Sequence, residues 1–272
     1  MKWTFISPGA NQELSLTEKS KVVGSWPPLG ILYIATILRD QEGIEVEVLD
    51  QAAEGYTNEQ ATEWALRQDP DVLGFSALAS SGKTAARIAQ KVKEHNPNIT
   101  TVFGNYYATF NDQRIHTSYP QVDIIVRGEG EETTRQLAHV LQNKSSLKKV
   151  SGITFRENGK IISTPDRPLI KNIDALPIPD RALLKAEYHS TLIGAIGAPK
   201  KFTTILSSRG CPYHCRFCGC QKIVHGTWRP RSVENTLEEL RRLTGEGYRQ
   251  FLFVDDSFTI NQKRVTTLCK RI

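Results

Sequence analysis

Five short apolar runs punctuate the first half of this chain at regular intervals: MKWTFIS, IEVEVLD, DVLGFSAL, ITTVFGN and VDIIVRG. Each is rich in Val, Ile and Phe, and each is too short for an ordinary helix, so each reads as a buried strand. Between them lie the helical stretches PPLGILYIATILRDQ, NEQATEWALRQ and GKTAARIAQKVKEH, and EETTRQLAHVLQN follows the fifth run. Alternation of this kind predicts an open, doubly wound, five-stranded parallel sheet of the Rossmann or flavodoxin-like kind. We expect it to occupy residues 1–142. Such sheets bind ligands in the crevice beyond the carboxyl ends of their strands. The loops at that end are WPPLG (26–30), SALASSG (76–82), GNYYAT (104–109) and RGEGEE (127–132), whose small residues allow close backbone approach.

The second half is dominated by SSRGCPYHCRFCGC, residues 207–220, which holds four of the five cysteines. The first ten residues carry one lysine and no long apolar core, so a secretory signal is not expected. No run reaches the ~18–20 apolar residues of a membrane span. A cytoplasmic location follows, and there clustered cysteines read as metal-binding or catalytic rather than as disulfides. Cys211, Cys215 and Cys218 form C-x3-C-x2-C. Structural zinc wants a fourth ligand, for which Cys220, His214, His225 and the distant Cys269 are the candidates. Three thiolates alone suit three corners of a cubane iron–sulfur cluster with one iron left open. The strand-like KFTTILSSRG precedes the loop. A helix with Ser232 as its N-cap, SVENTLEELRRLTGEG, and a second strand, YRQFLFVDDSFT, follow it. Strand, loop, helix, strand is the opening of a (β/α) barrel, whose chemistry sits at the carboxyl ends of its strands.

A chain of 272 residues with 39% hydrophobic residues can build two cores. Residues 1–145 carry 13 Lys/Arg against 18 Asp/Glu, and residues 146–272 carry 22 against 11. No basic block is interleaved with aromatic residues, so nucleic acid is not the expected partner. ALASSGKT (77–84) has the outline of a relaxed phosphate-binding loop but puts Ala77 where the first glycine belongs. DQAAEG (50–55) has the outline of a cobalt-ligating D-x-H-x-x-G loop, with Ala52 in the histidine's place.

WPPLGILYIATILR, DVLGFSAL and VDIIVRGEGEETTRQL, then the hairpin-like GITFRENGKIIS and the linker LIKNIDALPIPDRALL, precede the cysteine loop in that order. In this order the chain resembles the cobalamin-binding radical S-adenosylmethionine (SAM) proteins, which include radical SAM methyltransferases and the anaerobic magnesium-protoporphyrin ester cyclase. Phe217 completes the family's C-x3-C-x-aromatic-C pattern. The chain departs from the family at Gly104-Asn105-Tyr106-Tyr107-Ala108-Thr109, where G-G-P-H-x-T/S is common and where the tyrosines are expected to narrow the crevice.

The resemblance implies that Cys211, Cys215 and Cys218 hold a 4Fe-4S cluster whose open iron chelates SAM. It puts Phe217, Asp255, Asp256 and Ser257 against SAM. It lines a cobalamin crevice with Pro28, Leu29, Gly30, Ser76, Ser80, Gly104, Gly128, Glu129 and Gly130. Cys220 and Cys269 are expected to be bystanders. Reductive cleavage of SAM is implied, with methyl transfer to, or oxidative cyclisation at, an unactivated carbon. Electrons would come from flavodoxin or ferredoxin, and the substrate would be a small molecule or a lipid- or tetrapyrrole-type compound. The alternatives are a radical SAM protein whose first domain is an empty scaffold, and a zinc-stapled basic nucleic-acid-binding module. Residues 143–200 are expected to form a hairpin and proline-rich linker. Residues 201–272 would then be the first βα units of a truncated radical SAM barrel, a portion of a longer catalyst.

Overall fold

The computed structural model describes residues 1–10, 26–188 and 200–272. Residues 189–199 of the expected linker lie outside the described residues. Among the described residues the chain forms two units, one gathering 1–10, 28–168 and 179–186, the other chiefly 169–178 and 200–272.

The first unit is built on parallel strands β1 (Lys2–Ser7), β2 (Glu45–Asp50), β3 (Val72–Ser76), β4 (Thr100–Gly104) and β5 (Ile124–Val126), in the order β2-β1-β3-β4-β5. Helices α1 (Leu29–Glu42), α2 (Asn58–Gln68), α3 (Gly82–His95) and α6 (Glu131–Gln142) stand where the periodicity puts them. Two short helices between β4 and β5, α4 (Asn105–Phe110) and α5 (Asp112–Ser118), replace part of what reads as loop. Side chains alternate between two cores, as a strand buried on both faces requires. Leu73, Phe75, Phe103 and Ile125 join Trp64 and Ile88 on one face. Trp3, Phe5, Val72, Val102, Ile124 and Val126 join Leu38 and Leu137 on the other. Local signals agree with this packing. Thr57 and Gln60 form a reciprocal capping box at the start of α2, and Gly43 closes α1 in the left-handed conformation.

The sheet has seven strands, not five. The hairpin β6 (Ile153–Glu157) and β7 (Lys160–Ser163) continues it, with β6 antiparallel to β5. The physical reason is burial: Val150, Ile153 and Phe155 belong to the same core as Trp3 and Leu137. Without them β5 would be a three-residue edge strand with unpaired backbone groups. Arg127, directly after β5, locks the join by donating to the carbonyls of Ile153 (2.6 Å) and Thr164 (2.6 Å). The proline-rich segment also returns to this unit. The Asp180 backbone N–H donates to Thr36 Oγ1 (2.9 Å), the Asp180 carboxylate pairs with Arg39 (2.8 Å), and Leu183 and Leu184 pack on the core. A boundary at residue 142 would therefore cut through this core.

In the second unit β8 (Phe202–Ile205) pairs in parallel with β11 (Gln250–Phe253). Helix α8 (Val233–Gly245) connects them, and its N-cap Ser232 accepts from the Asn235 backbone N–H. Ile205, Leu237, Leu240, Leu243, Tyr248 and Leu268 make the core, the last from α9 (Gln262–Arg271). Between β8 and α8 lie a two-residue ladder, β9 (Ser208–Arg209) with β10 (Arg229–Pro230), and the short helix α7 (Cys220–Val224). No helix among the described residues is long and apolar enough to cross a membrane.

Phe155→Ala should lower the stability of the first unit by about 3–5 kcal/mol, as expected for truncating a fully buried aromatic. Denaturant unfolding monitored by circular dichroism checks this. A fragment ending at residue 142 should aggregate or melt well below one ending at residue 186.

Candidate functional site

The four crevice loops of the first unit stand at the carboxyl ends of β1, β3, β4 and β5, and a chain of polar contacts ties three of them together. Ser76 Oγ accepts from Asn105 Nδ2 (2.8 Å). The Asn105 carbonyl accepts from Thr109 Oγ1 (2.9 Å), which in turn accepts from the Gly128 backbone N–H (3.1 Å). Asn105 holds φ +78°, a left-handed conformation that Asn tolerates better than most residues. Asn105 and Thr109 are thus positioning residues; Thr109 stands at the T/S place of the family pattern, and Asn105 takes the place of its second glycine.

The predicted crevice residues do not all face outward. Gly30, Ser80 and Gly128 are exposed; Pro28, Ser76, Gly104, Glu129 and Gly130 are half-buried; Leu29 is buried in the core. A Cβ at Gly30 or Gly128 would meet nothing within 4 Å, so open space lies over both. The expected narrowing by tyrosines is not observed at Tyr107, which packs into the core against Gly82, where a Cβ would come within 2.5 Å of its ring. Tyr106 remains exposed beside Phe110, with ring centroids 6.2 Å apart, and Leu78 is exposed on the neighbouring loop. Two aromatic rings and Leu78 are thus exposed beside the small residues of these loops.

Both decoys resolve structurally. Gly82 serves packing against Tyr107, and Thr84, where a magnesium-binding hydroxyl would stand, is buried. Asp50 is buried and accepts from the Ala53 backbone N–H (3.2 Å), closing its own turn.

In the second unit the cysteine loop leaves the carboxyl end of β8 through Gly210. Its φ is +86°, and a Cβ there would lie 2.1 Å from the Thr227 carbonyl oxygen, so only glycine fits. Cys215 and Cys218 share a turn, with the Cys218 N–H donating to the Cys215 carbonyl (3.0 Å). Cys211 Sγ lies 3.3 Å from Ser257 Oγ. All five cysteines are free thiols, and Cys215 is exposed. Among the described residues no three His, Cys, Asp or Glu side chains converge on one point.

Of the four candidate fourth ligands, His214 is hydrogen-bonded, whereas His225 and Cys269 are exposed. Burial, together with the nearby Asp256 carboxylate, pushes the Cys220 thiol up to about 12. Gln221 Nε2 donates to His214 Nδ1 (2.7 Å). The C-x3-C-x2-C stretch supplies three cysteines, the number that a cubane cluster with one open iron takes. Phe217 projects outward at 93% exposure.

Asp255, Asp256 and Ser257 follow β11 and point back at the loop's base. Asp255 accepts from the Ser207 backbone N–H (2.8 Å), from Ser207 Oγ (2.7 Å) and from Ser208 Oγ. Asp256 accepts from the Gly210 N–H (3.0 Å). Behind them the Arg264 guanidinium, its pKa lowered by burial, donates to the carbonyls of Ser207 (2.7 Å) and Arg231 (3.0 Å). Arg231 in turn pairs with the buried Glu239.

Iodoacetamide at pH 8 should modify the exposed Cys215 and Cys269 well before Cys220, whose reactivity should rise only as pH approaches its raised value of about 12. Peptide mapping by mass spectrometry reads the order. Gly210→Ala should disrupt the loop's take-off, seen as faster proteolysis between residues 207 and 230.

Comparison with known proteins matches these two regions separately. A B12 binding domain model matches residues 19–138, and a radical SAM superfamily model matches residues 205–271. An uncharacterized methyltransferase of Pyrococcus horikoshii is 37% identical over 254 residues, covering 93% of this chain and 54% of its own length. The anaerobic magnesium-protoporphyrin IX monomethyl ester cyclase of Synechocystis is 32% identical over 249 residues, covering 90% and 48%. The chain thus spans about half the length of these relatives. Among solved structures, the cobalamin-dependent SAM radical enzyme OxsB, with aqua-cobalamin and SAM bound, superposes with a TM-score of 0.76 at 23% identity, over 99% of this chain and 36% of that one. TsrM of Kitasatospora setae, a radical SAM methyltransferase, gives 0.73 at 15% identity, over 99% and 50%; both share the fold. With a B12-type sheet, a three-cysteine loop after β8 and relatives of this kind, the chain belongs to the cobalamin-binding radical SAM proteins.

Proposed function

We propose that this chain is part of a radical SAM enzyme that binds a 4Fe-4S cluster, SAM and cobalamin, and carries out methyl transfer to, or oxidative cyclisation at, an unactivated carbon. The observation that carries the reading is the set of three free thiols, Cys211, Cys215 and Cys218, on a loop at the carboxyl end of β8. When bound, the cluster supplies a low-potential electron for reductive cleavage of SAM, and cobalamin supplies a methyl carrier.

The chain's own residues then position and enclose. Cys211, Cys215 and Cys218 would each ligate one iron, and SAM would lie against the loop with Phe217 and the 255–257 turn as its protein contacts. Pro28, Gly30, Ser76, Ser80, Gly104, Gly128, Glu129 and Gly130 would border the cobalamin face, held in register by Asn105 and Thr109. Ala52 offers cobalt no imidazole, so cobalamin would bind without a histidine from that loop. Flavodoxin or ferredoxin would be the reductant in an anoxic cytoplasm, and the substrate a small molecule or a lipid- or tetrapyrrole-type compound.

Anaerobic purification should yield a brown protein that bleaches with dithionite. Replacing Cys211, Cys215 or Cys218 by Ala should abolish the iron and sulfide content, while Cys220→Ala and Cys269→Ala should leave it near wild type. Loss of iron from Cys220→Ala as complete as from Cys218→Ala would mean four cysteine ligands and would overturn the reading. Hydroxocobalamin should be retained on desalting with a shifted spectrum; no retention would favour an empty scaffold.

A further inference from the structure

The cysteine segment is an excursion of the chain whose two ends return to one place. It leaves β8 at Ser207 and comes back at Arg231, whose backbone N–H donates to the Ser207 carbonyl (2.9 Å). Next to that bond stands the two-residue ladder of β9 and β10. Cys211, Cys215 and Cys218 all lie inside this excursion. A side chain from outside it reaches both ends. Arg264 Nη2 donates to the Ser207 carbonyl (2.7 Å) and Arg264 Nε to the Arg231 carbonyl (3.0 Å), and both bonds are buried.

The reach is fixed from behind. Asn261 caps α9 and its side chain accepts from the Arg264 backbone N–H (2.9 Å), while Leu268 of the same helix sits in the core with Ile205 and Leu240. Asp255 holds the other side of Ser207, accepting from its N–H (2.8 Å) and from its Oγ (2.7 Å). Arg264 is buried, and its Nη1 has no hydrogen-bond partner among the described residues. A buried guanidinium is costly for stability, and an apolar side chain of similar length would fill the same space at less cost. What an apolar side chain cannot do is donate to two carbonyls at once from a planar fork.

We propose that Arg264 is a positioning residue that clasps the two ends of the cysteine segment, so that Cys211, Cys215 and Cys218 are held at one spacing before any metal arrives. It acts through the carbonyls of Ser207 and Arg231, and so reaches the cluster through the loop. The proposal rests on the cluster reading above, but its first test does not.

Hydrogen–deuterium exchange read by mass spectrometry on the metal-free 272-residue chain compares the loop with α8 of the same unit. Peptides covering 208–231 should exchange about tenfold faster in Arg264→Met than in the wild type, because two charge-assisted bonds are lost. Peptides covering α8 should exchange at the wild-type rate. Arg264→Lys keeps a donor without the fork and should give about a two- to threefold rise in the loop; it decides the matter if Arg264→Met does not fold. After anaerobic reconstitution with iron and sulfide, Arg264→Met should hold less than about a third of the wild-type iron, and Arg264→Lys should recover more than about half. Loop exchange at the wild-type rate in Arg264→Met, or in Arg264→Lys where the methionine variant does not fold, overturns the proposal. So does an equal rise in the loop and in α8, which would mean general stabilisation. Loss of iron without faster loop exchange overturns it too, as does faster loop exchange with the full iron content. If the wild-type chain takes up no iron, the cluster reading fails, and the exchange comparison still decides whether Arg264 clasps the loop.

Discussion

A strand covered on both faces can offer chemistry only at its ends. The central strands of the first unit send side chains alternately into two cores, one containing Phe75 and Phe103, the other Trp3 and Val102. Nothing reactive can stand along such strands without burying an unpaired polar group. The functional positions are therefore driven to the loops, and the parallel arrangement collects the loops of one kind at one edge. β8 is buried along its length, and the polar run of Ser207 and Ser208 begins where its ladder with the half-buried β11 stops.

Loops made of small residues would be poorly defined unless something held them, and in each unit it is side-chain to backbone bonding that does so. In the first unit Asn105 and Thr109 link the turns after β3, β4 and β5. In the second unit the carboxylates of Asp255 and Asp256 take up donors along residues 207–210, while Arg264 takes up an acceptor. These bonds place charge beside backbone that would otherwise be left unsatisfied near the core, where the loss of one partner is costly. The acidic pair after β11 is thus accounted for by the loop it faces, independently of any ligand.

The hairpin β6–β7 shows how burial overrides a boundary drawn from composition. Its sequence, GITFRENGKIIS, is an autonomous hairpin by its turn and its alternation. What attaches it to the sheet is the apolar face formed by Ile153 and Phe155, together with the reach of Arg127 across to Thr164. The proline-rich segment behaves similarly, because Leu183 and Leu184 find the same core.

The sequence alone determined the strand–helix alternation, the cap at Ser232, and the three-cysteine loop, because all of these depend on residue type and local spacing. It also identified the loops at the strands' carboxyl ends, since parallel connectivity leaves no other place for them. Only the tertiary structure decided that the sheet has seven strands among the described residues, that Tyr107 turns inward onto Gly82, and that Asp256 reaches back to the Gly210 N–H. Each of these is a contact between residues distant in the chain or facing across elements. Its existence depends on which apolar surface or unpaired donor lies opposite, and local spacing carries no record of that.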